Sequence, residues 1–133
     1  MPTVLIVEDN PSHARETKAI LSKLGINSVE TTATVAGGLE YLHDVAERKR
    51  QAPDLIVLDL GFSMESGFEV LRHWKGDESL KKTQIVVWTE MGQLEQEMCH
   101  LFGLKHVVPK WAGPQELQAA LQSAVQECRT SAR

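Results

Sequence analysis

Five short apolar stretches alternate along the chain with five longer stretches in which apolar residues recur at helical spacing. The short stretches cover residues 3–7, 27–31, 54–59, 84–88 and 106–108, and β-branched residues are frequent in them. Apolar runs bounded by turn-forming residues are typical of strands, and the pattern over 27–31 is the weakest of the five. The alternation of strands and helices predicts a parallel sheet that is covered by helices on both faces.

The predicted helices have recognisable starts and stops. Pro11 suits the first turn of the first helix, and Gly25 ends that helix. We expect the charged run 47–51 to form the solvated end of the second helix and a loop over 61–66 to precede the third. The apolar positions at helical spacing include Leu39, Leu42, Phe68, Trp74, Leu94, Met98, Phe102, Leu117 and Leu121. No internal repeat or linker interrupts this order, which predicts one domain over residues 1–133.

The stretch 54–59 is the clearest strand, and its apolar residues do not alternate with polar ones. A strand of this kind is buried on both faces, as in a parallel sheet. Ligands of such sheets bind outside the carboxyl ends of the strands. The residues at those ends are therefore the candidates for function.

Acidic residues end two of the predicted strands, and a hydroxyl and an ammonium group end two others. Glu8 and Asp9 follow the first strand, Asp59 ends the third, Thr89 follows the fourth and Lys110 lies near the end of the fifth. Three converging carboxylates repel one another and need a cation, for which Mg²⁺ is suited because it prefers oxygen ligands. A lysine and a hydroxyl could hold the other oxygens of a transferred phosphoryl group. An Asp can accept that group as a nucleophile.

Each of these residues also has an ordinary structural interpretation. Glu8 and Asp9 could cap the helix that starts near Pro11, since acidic groups favour that end of a helix. Thr89 and Lys110 are unremarkable when taken singly. The functional interpretation depends on all four strand ends being suitable at once.

With these residues at its strand ends, the chain resembles the CheY-like receiver domains of two-component response regulators. The matching segments are VLIVEDN at 4–10, DLIVLDLGFSMESG at 54–67, IVVWT at 85–89 and VVPK at 107–110. The resemblance implies a flavodoxin-like (βα)5 fold, with a doubly wound five-stranded parallel sheet in the order 2-1-3-4-5. It also implies that residues 1–133 form a single receiver domain, a signalling module and not an enzyme.

The resemblance implies a role for each residue at the carboxyl edge. Asp59 would be the phosphoacceptor, Asp9 would bind Mg²⁺ directly and Glu8 would act mainly through water. The backbone carbonyl of Gly61 would be the third protein ligand of the metal, with Asp59 the other. The phosphoryl group would be held by Thr89 and Lys110. Gly67 occupies the place of the glycine that closes the loop after the phosphoacceptor.

The chain also departs from the family pattern. Trp111 replaces the usual proline after Lys110, and because a non-proline cis bond costs roughly 3–4 kcal/mol we expect a trans bond there. Glu90 replaces a small residue, and Val107 replaces the aromatic switch residue. We expect slow loss of the phosphoryl group, because neither Gly61 nor Met91 could orient a water. The long second helix and the missing proline resemble the phytochrome-associated single-domain regulators.

Composition narrows the possible partners and location. The chain has a formal net charge of −4, so it lacks the basic character of a nucleic-acid-binding protein. No apolar run is long enough to cross a membrane, and the amino-terminal segment does not resemble a signal peptide. We therefore expect a cytoplasmic protein with two reduced cysteines and with five histidines in surface or packing positions. By resemblance, its partners would be a sensor histidine kinase or phosphotransfer protein and a downstream effector, and a homodimer is possible.

Two other functions remain open from the sequence. The first is a receiver-like binding module that has lost the phosphoryl switch, which Val107 and Glu90 favour. The second is an unrelated flavodoxin-like enzyme. A phosphatase of the haloacid type would need an Asp at position 61, and a hydrolase elbow would need a glycine where Glu65 stands. Mg²⁺ binding would separate the receiver from the inactive module.

Overall fold

Five strands and five helices alternate in the computed structural model, as the sequence predicts. The structure describes residues 2–60, 64–90 and 92–131, and it describes only the backbone of residues 64–66, 94 and 131. The elements are β1 (Val4–Val7), α1 (Pro11–Lys23), β2 (Val29–Thr32), α2 (Val35–Ala46), β3 (Leu55–Leu58), α3 (Met64–Gly76), β4 (Gln84–Thr89), α4 (Gln93–Leu101), β5 (His106–Pro109) and α5 (Pro114–Ser131). Short 3₁₀ turns at Glu78–Leu80 and Lys110–Ala112 were not predicted.

All neighbouring strands are parallel, in the order β2-β1-β3-β4-β5. This arrangement confirms the predicted doubly wound flavodoxin-like fold. The switch point of the sheet lies between β1 and β3. The chain passes from β1 to β2 on one side of β1, and then crosses to β3 on the other side. A ligand crevice is expected at such a switch point, outside the carboxyl ends of the strands.

Two apolar cores cover the two faces of the sheet. Every residue of β1 and β3 is buried, so the continuous apolar runs do mark strands that are covered on both sides. One core contains Leu42 of α2 and Leu71 of α3, and the other contains Leu21 of α1 and Leu121 of α5. Among the described residues, no helix has both the length and the apolar character that crossing a bilayer requires.

The start of α1 shows which residue caps this helix. The side chain of Asn10 accepts hydrogen bonds from the backbone N–H groups of Ser12 and His13, at 2.9 and 3.2 Å. Pro11 is the first helical residue, where its missing N–H has no cost, and Gly25 follows the helix with φ of +84°. The interpretation of Glu8 and Asp9 as the cap is therefore wrong.

The third helix begins earlier than predicted, at Met64, so the predicted loop over 61–66 is too long. Gly67, which was expected to close that loop, lies inside the helix. A Cβ atom at this position would come within 2.6 Å of Cδ2 and 3.0 Å of Cα of Leu60, so a larger residue would not fit. The glycine thus permits close contact between α3 and the segment that follows β3.

The outer strand and the charged run after α2 differ in detail from the prediction. β2 starts two residues later than predicted, and its side chains at Glu30 and Thr31 are exposed, which explains the weak apolar pattern. Residues 47–49 are solvated as expected. Arg50 instead lies 3.8 Å above the Tyr41 ring and contacts the Glu30 carboxylate at 2.7 Å.

Both cysteines are buried and free. Burial raises the pKa of each thiol, Cys99 and Cys128, to about 11. The thiols are therefore protonated at neutral pH. The prediction of two unpaired thiols is confirmed.

Candidate functional site

Strand register brings the candidate residues together. Val7 of β1 is paired with Leu58 of β3, so the residues that follow, Glu8 and Asp59, emerge side by side. Thr89 is paired with Pro109, the residue before Lys110. Because all five strands are parallel, these four residues meet at one edge of the sheet.

Lys110 lies at the centre of this edge. Its Nζ atom is 2.9 Å from Oε1 of Glu8 and 3.1 Å from Oδ2 of Asp59, and its side chain is 9% exposed. It is also 2.7 Å from Nδ1 of His13 and 4.9 Å from the centre of the Trp88 ring. The ammonium group thus bridges two buried carboxylates and neutralises part of their charge.

Thr89 is fully buried and connects Asp59 to the backbone. Its hydroxyl donates to Oδ1 of Asp59 and accepts a hydrogen bond from the N–H of Leu60 at 3.1 Å. The two Asp59 oxygens therefore receive different donors, a hydroxyl on one and an ammonium on the other. This arrangement fixes the plane of the carboxylate.

Three carboxylates converge at the site. Glu8, Asp9 and Asp59 can each place one oxygen so that all three lie within 4.8 Å of one another. Glu8 and Asp59 are each 5% exposed, whereas Asp9 is exposed. The pKa of Glu8 is raised from 4.5 to about 8, mainly by burial and then by the hydrogen bond and repulsion with Asp59, which together outweigh the lowering effect of Lys110. A buried acid that retains its proton indicates excess negative charge, which a divalent cation would relieve.

A cavity of about 210 Å³ opens beside Asp59. The residues that line it are Asp9, Asn10, His13, Asp59, Glu90 and Lys110. The Asp59 carboxylate is therefore accessible from solvent through an opening that carries both acidic and basic groups. Glu90 also borders this opening and adds a negative charge to it. The side chain that bonds the N–H of Gly92, at the start of α4, is Glu95 and not Glu90.

The structure brings five of the six predicted site residues together: Glu8, Asp9, Asp59, Thr89 and Lys110. Gly61 lies outside the described residues, and so does Met91, the residue named for slow phosphoryl loss. His13 packs against Trp88, as the prediction of surface or packing positions allows, but it also contacts the Lys110 ammonium, which was not predicted. One signal could have found it: the third residue of a helix that starts at the carboxyl edge lies near that edge.

Comparison with known proteins identifies the family. Residues 4–122 match the family described as response regulator receiver domain. The chain belongs to this family. The unrelated-enzyme alternative is thereby excluded, since the match covers most of the chain together with Glu8, Asp9, Asp59, Thr89 and Lys110.

Curated relatives and solved structures that resemble this receiver domain include response regulators. The polar-differentiation response regulator DivK of Brucella ovis is 32% identical over 87 residues, which make up 65% of this chain and 65% of that protein. The bacteriophytochrome response regulator AtBRR is 27% identical with a TM-score of 0.71, and the match covers 92% of this chain and 91% of that one. The phosphorylated cyanobacterial phytochrome response regulator RcpA is 26% identical with a TM-score of 0.72, over 92% of this chain and 89% of that one. These neighbours bear out the resemblance to phytochrome regulators.

Two of the departures from the family pattern, Trp111 and Val107, lie around the end of β5. There is no cis peptide bond among the described residues, so the bond between Lys110 and Trp111 is trans, as expected. Trp111 is 74% exposed, and it does not cover Lys110. Val107 lies partly buried against the core that contains α4, with no ring to carry a rotameric switch. The receiver domain thus keeps the charged residues of the site, although its surroundings differ.

Proposed function

We propose that this receiver domain accepts a phosphoryl group on Asp59 from a histidine kinase or a phosphotransfer protein, and that it signals by changing conformation. The observation that carries the proposal is the placement of Asp59. Its carboxylate receives the Thr89 hydroxyl and the Lys110 ammonium, and two further acids lie beside it at an open cavity. The two donors alone would also suit a structural aspartate, but the open cavity and the two further acids beside it favour a reactive one.

The chemical step follows from these contacts. A carboxylate oxygen of Asp59 forms a bond to phosphorus while the bond between phosphorus and the donor's leaving group breaks. The leaving group departs with that electron pair, and the product is a mixed anhydride on Asp59. Lys110 and Thr89 then balance the charge that moves onto the phosphoryl oxygens. Positioning and charge neutralisation are the main contributions that a protein makes to this reaction.

A divalent cation fits the acidic side of the site. We propose that Asp9 and Asp59 bind Mg²⁺ directly together with the Gly61 carbonyl, and that Glu8 acts mainly through water. When bound, the ion would offset the repulsion among the carboxylates and the incoming phosphate. The raised pKa of Glu8 and the three convergent oxygens support this assignment.

The partners and the setting follow from the family. We propose that residues 1–133 act as a single receiver domain in the cytoplasm, with a downstream effector protein as the target of the signal and with a homodimer possible. The acidic net charge of −4 supports a protein partner over a nucleic acid. The structures of AtBRR and RcpA make a phytochrome-linked kinase a reasonable first donor to test.

A receiver-like binding module without phosphorylation is the second candidate. Val107 favours it, because the residue cannot provide the aromatic switch. The existing charge balance also favours it, since Lys110 already contacts both Glu8 and Asp59. In such a module the ion pair would only stabilise the fold.

One experiment separates the two candidates. The protein is incubated with acetyl phosphate and Mg²⁺, and intact mass spectrometry follows the gain of one phosphoryl group. We expect a gain for wild type and for the control Asp44→Asn, whose carboxylate lies on α2, and none for Asp59→Asn. Beryllofluoride, a phosphoryl mimic, should shift the amide signals of Thr89 and Lys110. Absence of both labelling and shifts in wild type would establish the binding module.

A further inference from the structure

We propose that His13 is a positioning residue for Lys110, through a hydrogen bond that Nδ1 of the imidazole accepts from the ammonium group. The inference rests on the proposed function of Asp59 as phosphoacceptor. It starts from one distance, 2.7 Å between Nζ of Lys110 and Nδ1 of His13. The two residues are 97 positions apart in the chain, so the contact is made by the fold and not by local sequence.

The ammonium geometry defines the role of the ring. An ammonium group has three N–H donors and no acceptor. Glu8, Asp59 and His13 provide three acceptors at 2.9, 3.1 and 2.7 Å. Lys110 forms an ion pair with the Asp59 carboxylate and is therefore an ammonium whether or not Glu8 holds its proton, so Nδ1 must accept. His13 is accordingly the neutral tautomer with its proton on Nε2.

A neutral acceptor is suited to this position. A third carboxylate here would compete with an incoming phosphoryl group for the charge of Lys110. The imidazole orients one N–H of Lys110 and leaves the positive charge of the ammonium uncancelled. When the phosphoryl group forms on Asp59, Lys110 can transfer one hydrogen bond to it while the bond to His13 persists.

The ring of His13 is itself held in place. Its backbone N–H donates to the Asn10 cap, and its carbonyl accepts from the Thr17 hydroxyl at 3.1 Å. The imidazole packs against Trp88, with ring centres 5.3 Å apart and planes inclined by 60°. His13 also borders the cavity beside Asp59 and a larger neighbouring cavity of about 490 Å³, next to Lys110 in both. The acceptor is thus rigid, and it stands at the entrance to the site.

Two substitutions separate hydrogen bonding from packing. His13→Phe keeps a ring against Trp88 and removes the acceptor, whereas His13→Asn removes the ring and retains an acceptor oxygen near the position of Nδ1. The initial rate of labelling by acetyl phosphate is measured at saturating Mg²⁺, with His73→Phe on α3 as the control. We expect His13→Phe to label about tenfold more slowly than wild type. His13→Asn should stay within about twofold of wild type, because a neutral acceptor remains.

The outcomes are distinct. If His13→Phe labels at the wild-type rate, or if His13→Asn is as slow as His13→Phe, then His13 acts through packing and the inference is wrong. Thermal unfolding of each variant confirms that the fold is retained. Failure of wild type to label at all would instead refute the proposed function of Asp59.

A spectroscopic measurement tests the contact without phosphorylation. The ring ¹⁵N signals of His13 are recorded in the wild-type protein at neutral pH, and again in Lys110→Met. We expect the Nε2–H tautomer in wild type, with the Nδ1 signal shifted by a strong donor, and loss of that shift in Lys110→Met. An Nδ1–H tautomer in wild type, or an unchanged Nδ1 signal in Lys110→Met, would overturn the inference whether or not Asp59 is phosphorylated and whether or not the variants fold.

Discussion

The two ends of the sheet carry the same residue types but use them differently. At the amino end, Asp54 accepts bonds from the backbone N–H and the hydroxyl of Thr3, at 2.8 and 3.3 Å. Thr83, which is buried, donates to the carbonyl of Pro53 at 2.7 Å. Each polar group there has a neutral partner. The polar groups at the amino ends of β3 and β4 are therefore satisfied by ordinary hydrogen bonds.

At the carboxyl end of the same two strands, Asp59 and Thr89 take part in a charged cluster. Asp59 is buried beside the equally buried Glu8, and the Lys110 ammonium lies between the two acids. Burying like charges together costs stability, because desolvation and repulsion act in the same direction. The carboxyl end of β3 and β4 is therefore poorly arranged for stability alone and well arranged for binding a cation and a phosphoryl group.

The largest effect should be the pH dependence that Glu8 gives to the metal-free protein. Folding raises the pKa of this carboxyl from 4.5 to about 8, so the folded state favours the protonated acid. The contribution of protonated Glu8 to the free energy of unfolding is therefore complete below pH 4.5 and is lost as the pH rises towards 8. This contribution is on the order of a few kcal/mol. Urea unfolding with EDTA across this range should show a decline that Glu8→Gln flattens. An undiminished decline in Glu8→Gln would refute this assignment, and Glu40→Gln on the surface of α2 is the control.

Mg²⁺ should restore much of the free energy of unfolding that the metal-free protein loses as the pH rises. An ion that binds only the folded state at a hundredfold excess over its Kd adds about 2.7 kcal/mol to the free energy of unfolding. Asp9→Asn should reduce the gain, because it removes one of the three convergent oxygens. Asp44→Asn should behave as wild type does. A melting temperature that does not respond to millimolar Mg²⁺ would mean that the acidic cluster does not bind the ion.

Substitution of the two aspartates at opposite ends of β3, Asp54 and Asp59, should give the next largest effect. Asp54→Ala should lower the free energy of unfolding by about 1–2 kcal/mol, since the N–H of Thr3 loses its acceptor. Its rate of labelling by acetyl phosphate should be unchanged. Asp59→Asn should do the opposite, losing labelling while the metal-free protein stays at least as stable as wild type. Destabilisation by Asp59→Asn that exceeds that by Asp54→Ala would contradict the contrast between the two ends.

The smallest effect should come from Glu90, which borders the cavity beside Asp59. Its negative charge should repel small anionic donors, so Glu90→Ala should load from acetyl phosphate a few times faster, by roughly threefold. The gain should shrink at high ionic strength, because salt screens exposed charges. Equal loading rates for Glu90→Ala, the control Glu40→Ala and wild type would show that Glu90 does not affect entry.

The strand ends could be predicted because parallel topology is a strong constraint. Once 54–59 is identified as a strand buried on both faces, Asp59 must emerge at the same edge as Glu8 and Asp9. Thr89 and Lys110 follow from the same rule. Apolar patterning alone therefore placed five site residues, and no knowledge of side-chain conformation was needed.

The errors of prediction lie where side-chain geometry decides. His13 is carried by a helix, and its contact with Lys110 depends on the tilt of α1 and on the path of a long side chain, neither of which leaves a periodic signal. Gly67 lies inside α3 in close contact with Leu60, a tertiary contact that the sequence pattern does not show. The bounds of β2 were shifted because an edge strand with exposed residues lacks a continuous apolar run.

Arg50 has a consequence for association between molecules. β2 is the outermost strand on its side, so its free backbone N–H and C=O groups could pair with a strand of another chain. Glu30 is exposed on this strand, and Arg50 binds it while lying over the Tyr41 ring. An incoming strand would have to desolvate this ion pair before it could add to the sheet. The ion pair between Arg50 and Glu30 thus disfavours edge-to-edge aggregation through β2.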